Sequence, residues 1–164
     1  MAKRSLWVFV AALVSCVGCD QAAKQVAGQL LGGSSGLVLA GGVVQLQVVQ
    51  NPGAFLSLGA GLPELLRHLL LIGLVPLALG LVSWLAWRPG HSRSQLAALG
   101  LVAGGGLANW LDRLLHGGAV TDFVSVGLGP LRSGIFNLAD VAIVAGLLLL
   151  LRASAAFRAE SGAG

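Results

Sequence analysis

The chain has 164 residues, of which 56% are hydrophobic and only 10% are charged. A soluble domain carries about 25% charged residues, so this composition indicates a membrane protein and excludes an ordinary soluble domain. The formal net charge is +4, but the basic residues flank apolar segments and do not cluster on a polar surface, which argues against a nucleic-acid-binding protein.

Four apolar segments approach the length of about 20 residues that a helix needs to cross a bilayer. We predict one integral membrane domain over residues 1–164, with spans at 6–27, 65–87, 96–115 and 137–157. Pro76 interrupts the second span, where a kink is tolerable if a neighbouring group satisfies the freed carbonyl. Small residues fill the third span, so we expect another helix, or a bound peptide, to approach its backbone closely.

The basic residues predict the orientation. They precede the first span, join the second to the third and follow the fourth: Lys3, Arg4, Arg88, Arg93, Arg152 and Arg158. The positive-inside rule assigns all of these positions to the cytoplasm. Both termini are then cytoplasmic, and residues 28–64 and 116–134 form outer loops.

The first outer loop contains a strand pattern. Residues 44–48 alternate apolar and polar side chains, which is typical of a half-buried strand, and Asn51-Pro52-Gly53 follows as a turn. The predicted fold class is therefore an all-α membrane protein of four transmembrane helices, with a small extracytoplasmic β-sheet between helices 1 and 2.

Two aspartates mark the candidate site. Asp122 follows the third apolar run and Asp140 opens the fourth, where a carboxylate at a bilayer boundary is costly and often functional. The other polar residues of the spans fall near the same outer face: Asp20, Lys24, Asn109, Asp112, Arg113 and Asn137. Two carboxyl groups that meet can share one proton, which is the working part of an aspartyl hydrolase.

Each polar residue also has a structural interpretation. Lys24 could extend to the lipid headgroups, and Asp112 with Arg113 could form an interface pair. Asn109 and Asn137 could join helices, and Asp140 could interact with a helix dipole. Asp122 has no such explanation.

Two other classes of protein compete with a hydrolase. A small proton-coupled transporter would carry acids within the membrane. A lipoprotein would be cut before Cys16, because residues 13–16 resemble a lipobox behind a basic start and a short apolar run.

The histidines are scattered, and we expect neither a metal site nor a cofactor.

Five motifs in order resemble those of bacterial lipoprotein signal peptidase, or signal peptidase II. They are DQAAK at 20–24, NPGA at 51–54, GGLANWLDR at 105–113, VTDF at 120–123 and FNLAD at 136–140. The resemblance implies an aspartyl endopeptidase of the bacterial cytoplasmic (inner) membrane, with its active site at the outer face. Its implied substrates are prolipoproteins, cut just before a diacylglyceryl-modified cysteine.

The resemblance also implies residue roles. Asp122 and Asp140 match the catalytic dyad, and seven further positions match residues that bind substrate or support the dyad: Asp20, Lys24, Asn51, Gly105, Asn109, Arg113 and Asn137. The expected partners are the lipidated substrate and membrane lipid, with no nucleic acid, and we expect a monomer. The chain departs from the family pattern at Ala108 and at Phe55-Leu56, both beside the implied substrate path.

Overall fold

Four long helices make up most of the computed structural model, which describes residues 5–33 and 35–161. The helices are α1 (Leu6–Leu31), α2 (Glu64–Trp87), α3 (Arg93–Leu115) and α4 (Leu138–Ser161). By length and composition, α1, α2 and the Leu138–Ala155 part of α4 are apolar enough to cross a membrane. Lys3 and Arg4, which the orientation argument used, lie outside the described residues.

Helix α1 is longer than its predicted span, and α3 starts earlier than predicted. α1 continues to Leu31, one turn beyond residue 27. α3 begins at Arg93 because Ser92 caps it: the Ser92 hydroxyl accepts the Gln95 N–H, and the Gln95 side chain accepts the Ser92 N–H. This reciprocal capping box satisfies two donors at the helix start, so the cap and not the apolar run fixes the boundary.

Helix α3 lies at the centre and packs against the other three helices. Its small residues make this possible. A Cβ added at Gly100 would lie 2.5 Å from the Phe9 carbonyl oxygen of α1, and one added at Gly105 would lie 2.5 Å from the Ala139 carbonyl oxygen of α4. The glycines therefore form a helix-packing surface on both sides of α3, as small residues do in membrane helix bundles.

Helix α2 is irregular just before Pro76. It changes from α-helix to a π-helical stretch over Leu69–Leu74 and then returns to α-helix at Val75. Proline has no N–H to donate to the carbonyl four residues earlier. That carbonyl, of Ile72, instead accepts the indole N–H of Trp110 at 3.0 Å, so a neighbouring helix satisfies it.

A four-stranded antiparallel sheet lies beside the helices, in the order β1-β2-β3-β4. β1 (Leu37–Leu39) and β2 (Val44–Asn51) come from the loop between α1 and α2, and β2 confirms the predicted strand. β3 (Val120–Leu128) and β4 (Leu131–Arg132) come from the loop between α3 and α4. The prediction that put the whole sheet between helices 1 and 2 is wrong in this respect, because β3 pairs with β2 and brings Asp122 opposite Val49.

Candidate active site

Strand β3 carries Asp122 into the interior, where only 1% of the residue is exposed. Both of its carboxyl oxygens accept a hydrogen bond from a side-chain amide. Asn51 donates to Oδ2 at 2.8 Å, and Asn137 donates to Oδ1 at 2.7 Å. Asp122 is therefore held from both sides by neutral donors.

The end of β2 positions Asn51. Its side-chain oxygen accepts the N–H of Gly53 at 2.9 Å, which closes a short turn, while its amide nitrogen also donates to the Ala54 carbonyl at 3.2 Å. Arg113 of α3 donates to the Gly53 carbonyl at 2.7 Å and so fastens this turn to the helix bundle. The NPG motif thus fixes the position of the Asn51 side-chain amide, which donates to Asp122.

The first turn of α4 positions Asp140. Asn137 precedes the helix, and its side-chain oxygen accepts the Asp140 N–H at 3.0 Å, while Asp140 Oδ2 accepts the Asn137 N–H at 3.2 Å. This exchange is a capping box built from asparagine and aspartate. Asp140 Oδ1 also accepts the amide of Asn109 at 2.9 Å. The helix-terminal role foreseen as an alternative for Asp140 therefore coexists with its place in the site.

Asn137 joins the two acids, because its side-chain amide contacts Asp122 and its backbone N–H contacts Asp140. It is fully buried, and its amide also reaches Asn109 Oδ1 at 3.0 Å. Burial raises the pKa of Asp122 from its ordinary value to about 6; the hydrogen bond from Asn51 lowers this pKa and the charge of Asp140 raises it. A carboxyl group with a pKa near neutrality can both hold and release a proton at physiological pH.

A buried ionic cluster lies behind the acids. Lys24 contacts Asp20 at 2.7 Å and Asp112 at 3.0 Å, and it donates to Asn109 Oδ1 at 3.1 Å. Only 6% of Lys24 is exposed, so the interpretation that its ammonium extends to the lipid headgroups is wrong. Asp112 pairs with Lys24, while Arg113 donates to the carbonyls of Gly53 and Asn109.

The structure thus brings all nine predicted site residues together in one buried region. Gly105 takes part through its lack of a side chain, which lets α3 touch Ala139 next to Asp140. The sequence argument gave no role to Gln21 or Thr121. Gln21 donates to Asp112 Oδ1 at 2.9 Å, and the backbone N–H of Thr121 donates to Asp112 Oδ2 at 2.9 Å. Gln21 lies within the 20–24 motif, which could have signalled it, but a backbone donor carries no sequence signal.

Comparison with known proteins identifies the family to which this chain belongs. The family model described as signal peptidase (SPase) II matches residues 12–156. The chain belongs to the signal peptidase II family. The match covers α1 from its second turn, the sheet and the remaining helices, and it includes both buried aspartates.

Curated relatives of this family carry the name "Lipoprotein signal peptidase". The protein from Rhodococcus jostii is 41% identical over 118 residues, which cover 69% of this chain and 54% of the relative. The protein from Leifsonia xyli is 38% identical, with 88% of this chain and 66% of the relative covered. The chain therefore spans just over half to about two thirds of the length of these two relatives. The protein from Treponema pallidum is 34% identical, with 91% and 84% covered.

A solved structure shares the fold. It is described as "Bacterial membrane enzyme structure by the in meso method at 2.3 A resolution" and superposes with a TM-score of 0.77, covering 88% of this chain and 85% of the other. The two sequences are 20% identical. The likeness therefore concerns the fold alone.

Membership of the signal peptidase II family disfavours both competing classes. Cys16 lies within α1, whose earlier residues pack on the central helix: Phe9 and Leu13 present backbone carbonyls to Gly100 and Gly104. A cut before Cys16 would remove this part of the packing. A proton-coupled transporter is likewise not favoured by the family match over residues 12–156.

Proposed function

We propose that this chain is an aspartic endopeptidase that removes the signal peptide from prolipoproteins, cutting just before a diacylglyceryl-modified cysteine. The observation that carries the proposal is the pair Asp122 and Asp140. Both are buried, both are joined through Asn137, and both oxygens of each accept a hydrogen bond. The charge of Asp140 disfavours ionisation of Asp122, which suits a pair of acids that shares one proton.

The chemistry follows from one proton shared by two carboxyl groups. The ionised aspartate takes a proton from water as the water oxygen attacks the scissile carbonyl carbon, and the protonated aspartate gives its proton to the carbonyl oxygen. The tetrahedral intermediate then collapses. Its hydroxyl proton returns to one aspartate, the other protonates the leaving nitrogen, and the C–N bond breaks. The products are a signal peptide with a new carboxyl group and a lipoprotein with a free cysteine amine.

The neutral amides suit this cycle. Asn51, Asn109 and Asn137 donate to the carboxyl oxygens without adding charge, so they orient the acids while the dyad keeps a single negative charge. Asn51 and Asn137 each donate both amide hydrogens within the site, to Asp122 and to Ala54 or Asn109, so their role is to orient Asp122. Arg113 acts through the turn at Gly53.

An apolar cavity next to the turn that holds Asn51 supports a hydrophobic substrate. It has a volume of about 200 Å³ and adjoins Ala54, three residues after Asn51. The walls come from the segment that follows the turn and from α2, namely Leu58, Gly59, Leu62, Arg67, Leu70 and Leu71. Apolar walls with a few polar groups at one end are typical of a ligand site, and they suit the apolar side chains of a signal peptide.

The proposed topology has four spans, with both termini in the cytoplasm and the dyad at the outer face of the bacterial cytoplasmic membrane. Helix α3 serves as the remaining span, since its 23 residues reach about 35 Å. Its position between the other helices shields its glycines and polar residues from lipid. All nine site residues lie on one chain, which supports a monomer surrounded by membrane lipid.

The test uses the purified protein in phospholipid vesicles with two matched substrates. One is a prolipoprotein with a diacylglyceryl-modified cysteine, and the other is the same chain with an unmodified cysteine. Mass spectrometry of the products is expected to show cleavage immediately before the modified cysteine only, and none by Asp140→Asn. Cleavage elsewhere, equal cleavage of both substrates, or an active Asp140→Asn would overturn the proposal.

A further inference from the structure

The two residues that directly precede the dyad acids are held in the same way. The backbone N–H of Ala139, before Asp140, donates to Asp20 Oδ1 at 2.8 Å. The backbone N–H of Thr121, before Asp122, donates to Asp112 Oδ2 at 2.9 Å. Each acid of the dyad therefore follows a backbone position that is fastened to a buried carboxylate.

Both of these backbone donors bond to a group outside their own element. Ala139 lies in the first turn of α4, where N–H groups have no acceptor within the helix. Thr121 lies opposite Gln50 of β2, and β4 pairs only with Gly127 and Leu128 further along β3; the Thr121 N–H donates to Asp112. A carboxylate is a strong acceptor for such a group, because a hydrogen bond to a charged partner is stronger than a neutral one.

Lys24 links the two carboxylates. Its ammonium lies 2.7 Å from Asp20 Oδ2 and 3.0 Å from Asp112 Oδ2, the same oxygen that accepts the Thr121 N–H. All three side chains are buried, with Asp20 fully inaccessible. One ammonium on α1 thus connects the start of α4, through Asp20, with β3, through Asp112 on α3.

Stability alone does not explain this cluster. A buried ion pair often stabilises a protein no more than apolar residues of similar size would, because removing charges from water is costly. What the cluster does provide is a fixed geometry between β3 and the start of α4, each of which carries one acid of the dyad. Rigid support of this kind matters most where two groups must act on one substrate.

We propose that Asp20, Lys24 and Asp112 form a positioning triad that sets the separation of the two catalytic carboxyl groups. The proposal rests on the proposed function of the dyad and assigns to Asp112 a role in the reaction. None of the three residues touches the reacting atoms. They act through the backbone N–H groups of Ala139 and Thr121, the residues that directly precede Asp140 and Asp122.

The kinetic test compares Asp112→Asn and Asp20→Asn with Glu64→Gln as the matched control. Glu64 is a carboxylate with a side chain that is 76% exposed, outside the triad. A displacement of about 1 Å in a catalytic group lowers turnover on the order of 100-fold, so kcat is expected to fall roughly 10- to 100-fold in both triad variants, with KM unchanged. Glu64→Gln is expected to keep the wild-type kcat. A wild-type kcat in Asp112→Asn would overturn the proposal.

A second readout does not depend on activity. Hydrogen–deuterium exchange of the Thr121 and Ala139 amides is measured in wild type, Lys24→Met and Glu64→Gln. The triad predicts faster exchange at both amides in Lys24→Met, because Lys24 is the link between them, and no change in the control. Wild-type exchange at either amide in Lys24→Met would contradict a shared link.

If Asp112→Asn does not fold, Gln21→Met replaces it, since within residues 5–33 and 35–161 the side chain of Gln21 donates to Asp112 Oδ1 at 2.9 Å and to the Ala108 carbonyl at 3.4 Å and to no other group. A lower kcat and faster exchange at Thr121 are then expected, and wild-type values for both would reject the triad. A wild type that does not cleave the lipidated substrate would reject the proposed function, while the exchange results would still decide whether the triad fixes the two elements.

Discussion

Gly105→Ala tests how closely the dyad depends on the contact between α3 and α4. A Cβ at this position would lie 2.5 Å from the Ala139 carbonyl oxygen and 2.7 Å from Ile143 Cγ1. Ordinary contacts of a Cβ begin at 3.4 Å, so α4 must retreat by 3.4 minus 2.5, about 0.9 Å. The nearest atom belongs to the backbone of the residue before Asp140, and no side-chain rotation can relieve the clash.

Two quantities should change. A displacement of about 1 Å at a catalytic group lowers turnover on the order of 100-fold. Overpacking costs about 1–3 kcal/mol, and the higher helix propensity of alanine returns about 1 kcal/mol, so the free energy of unfolding should fall by roughly 0–2 kcal/mol. The activity loss should therefore exceed what the small loss of stability explains.

The assay measures turnover of a lipidated prolipoprotein in vesicles, together with unfolding in mixed micelles. Gly106→Ala is the matched control, because the nearest atom to its added Cβ is the end of the Leu79 side chain, at 2.8 Å, which can rotate away. We expect near wild-type turnover in this control. Wild-type turnover in Gly105→Ala as well would refute the reasoning that α4 must approach α3 this closely for Asp140 to act.

Three more predictions concern pH, the turn at Gly53 and the cysteine alternative. The pKa of Asp122 is about 6 in the folded protein, whereas an ordinary aspartate has a pKa of 3.8. Between these two pH values the folded state therefore binds more protons than the unfolded state. The free energy of unfolding should then fall by about 2 kcal/mol between pH 4 and pH 7 relative to Asp122→Asn, measured in mixed micelles, and equal pH dependence of the two proteins would contradict the burial argument. Arg113→Lys should lower kcat roughly 10-fold, because a lysine cannot donate to the Gly53 and Asn109 carbonyls together with the geometry of the planar guanidinium; an unchanged kcat would mean that the turn does not need this donor. Intact-mass measurement should show a full-length chain without an acyl group on Cys16, and Cys16→Ser should keep wild-type turnover, whereas loss of the residues before Cys16 would favour the lipoprotein alternative.

The sequence predicts the helices well because each is a long apolar run with few competing patterns. α2 lies within one residue of its predicted span, and Trp110 meets the condition under which a kink at Pro76 is tolerable, because it donates to the freed carbonyl. The helix starts are less predictable, since hydrogen bonds decide them. The capping box at Ser92 begins α3 before its apolar run, and apolar periodicity does not contain that information.

The sheet shows the main gap in the sequence argument. β2 has the alternation of a half-buried strand, but β3 is buried along Val120–Phe123 and shows no such pattern. Its pairing with β2 joins residues about 70 positions apart, as in Val49 with Asp122. Local sequence patterns do not specify a contact of that kind. The sequence therefore predicts a loop over residues 116–134, where the structure has the strand that carries Asp122.

The site residues could be predicted as a group, because polar side chains at the ends of apolar spans are costly and so stand out. Their individual partners could not. Lys24 has the sequence pattern of a lysine that reaches the headgroups, and only the fold reveals Asp112 from α3 as its partner. The contacts of Thr121 and Ala139 are made by backbone N–H groups, which every residue type except proline offers.

The central claim is that Asp122 and Asp140 act as one unit. The most direct test measures turnover of the lipidated substrate by Asp122→Asn, by Asp140→Asn and by the variant that carries both substitutions. Groups that act together show strongly non-additive losses. We expect each single variant to lose at least about 1,000-fold in kcat, and the double variant to be no worse than either. Near-normal turnover in either single variant, or losses that multiply in the double variant, would contradict a shared-proton dyad.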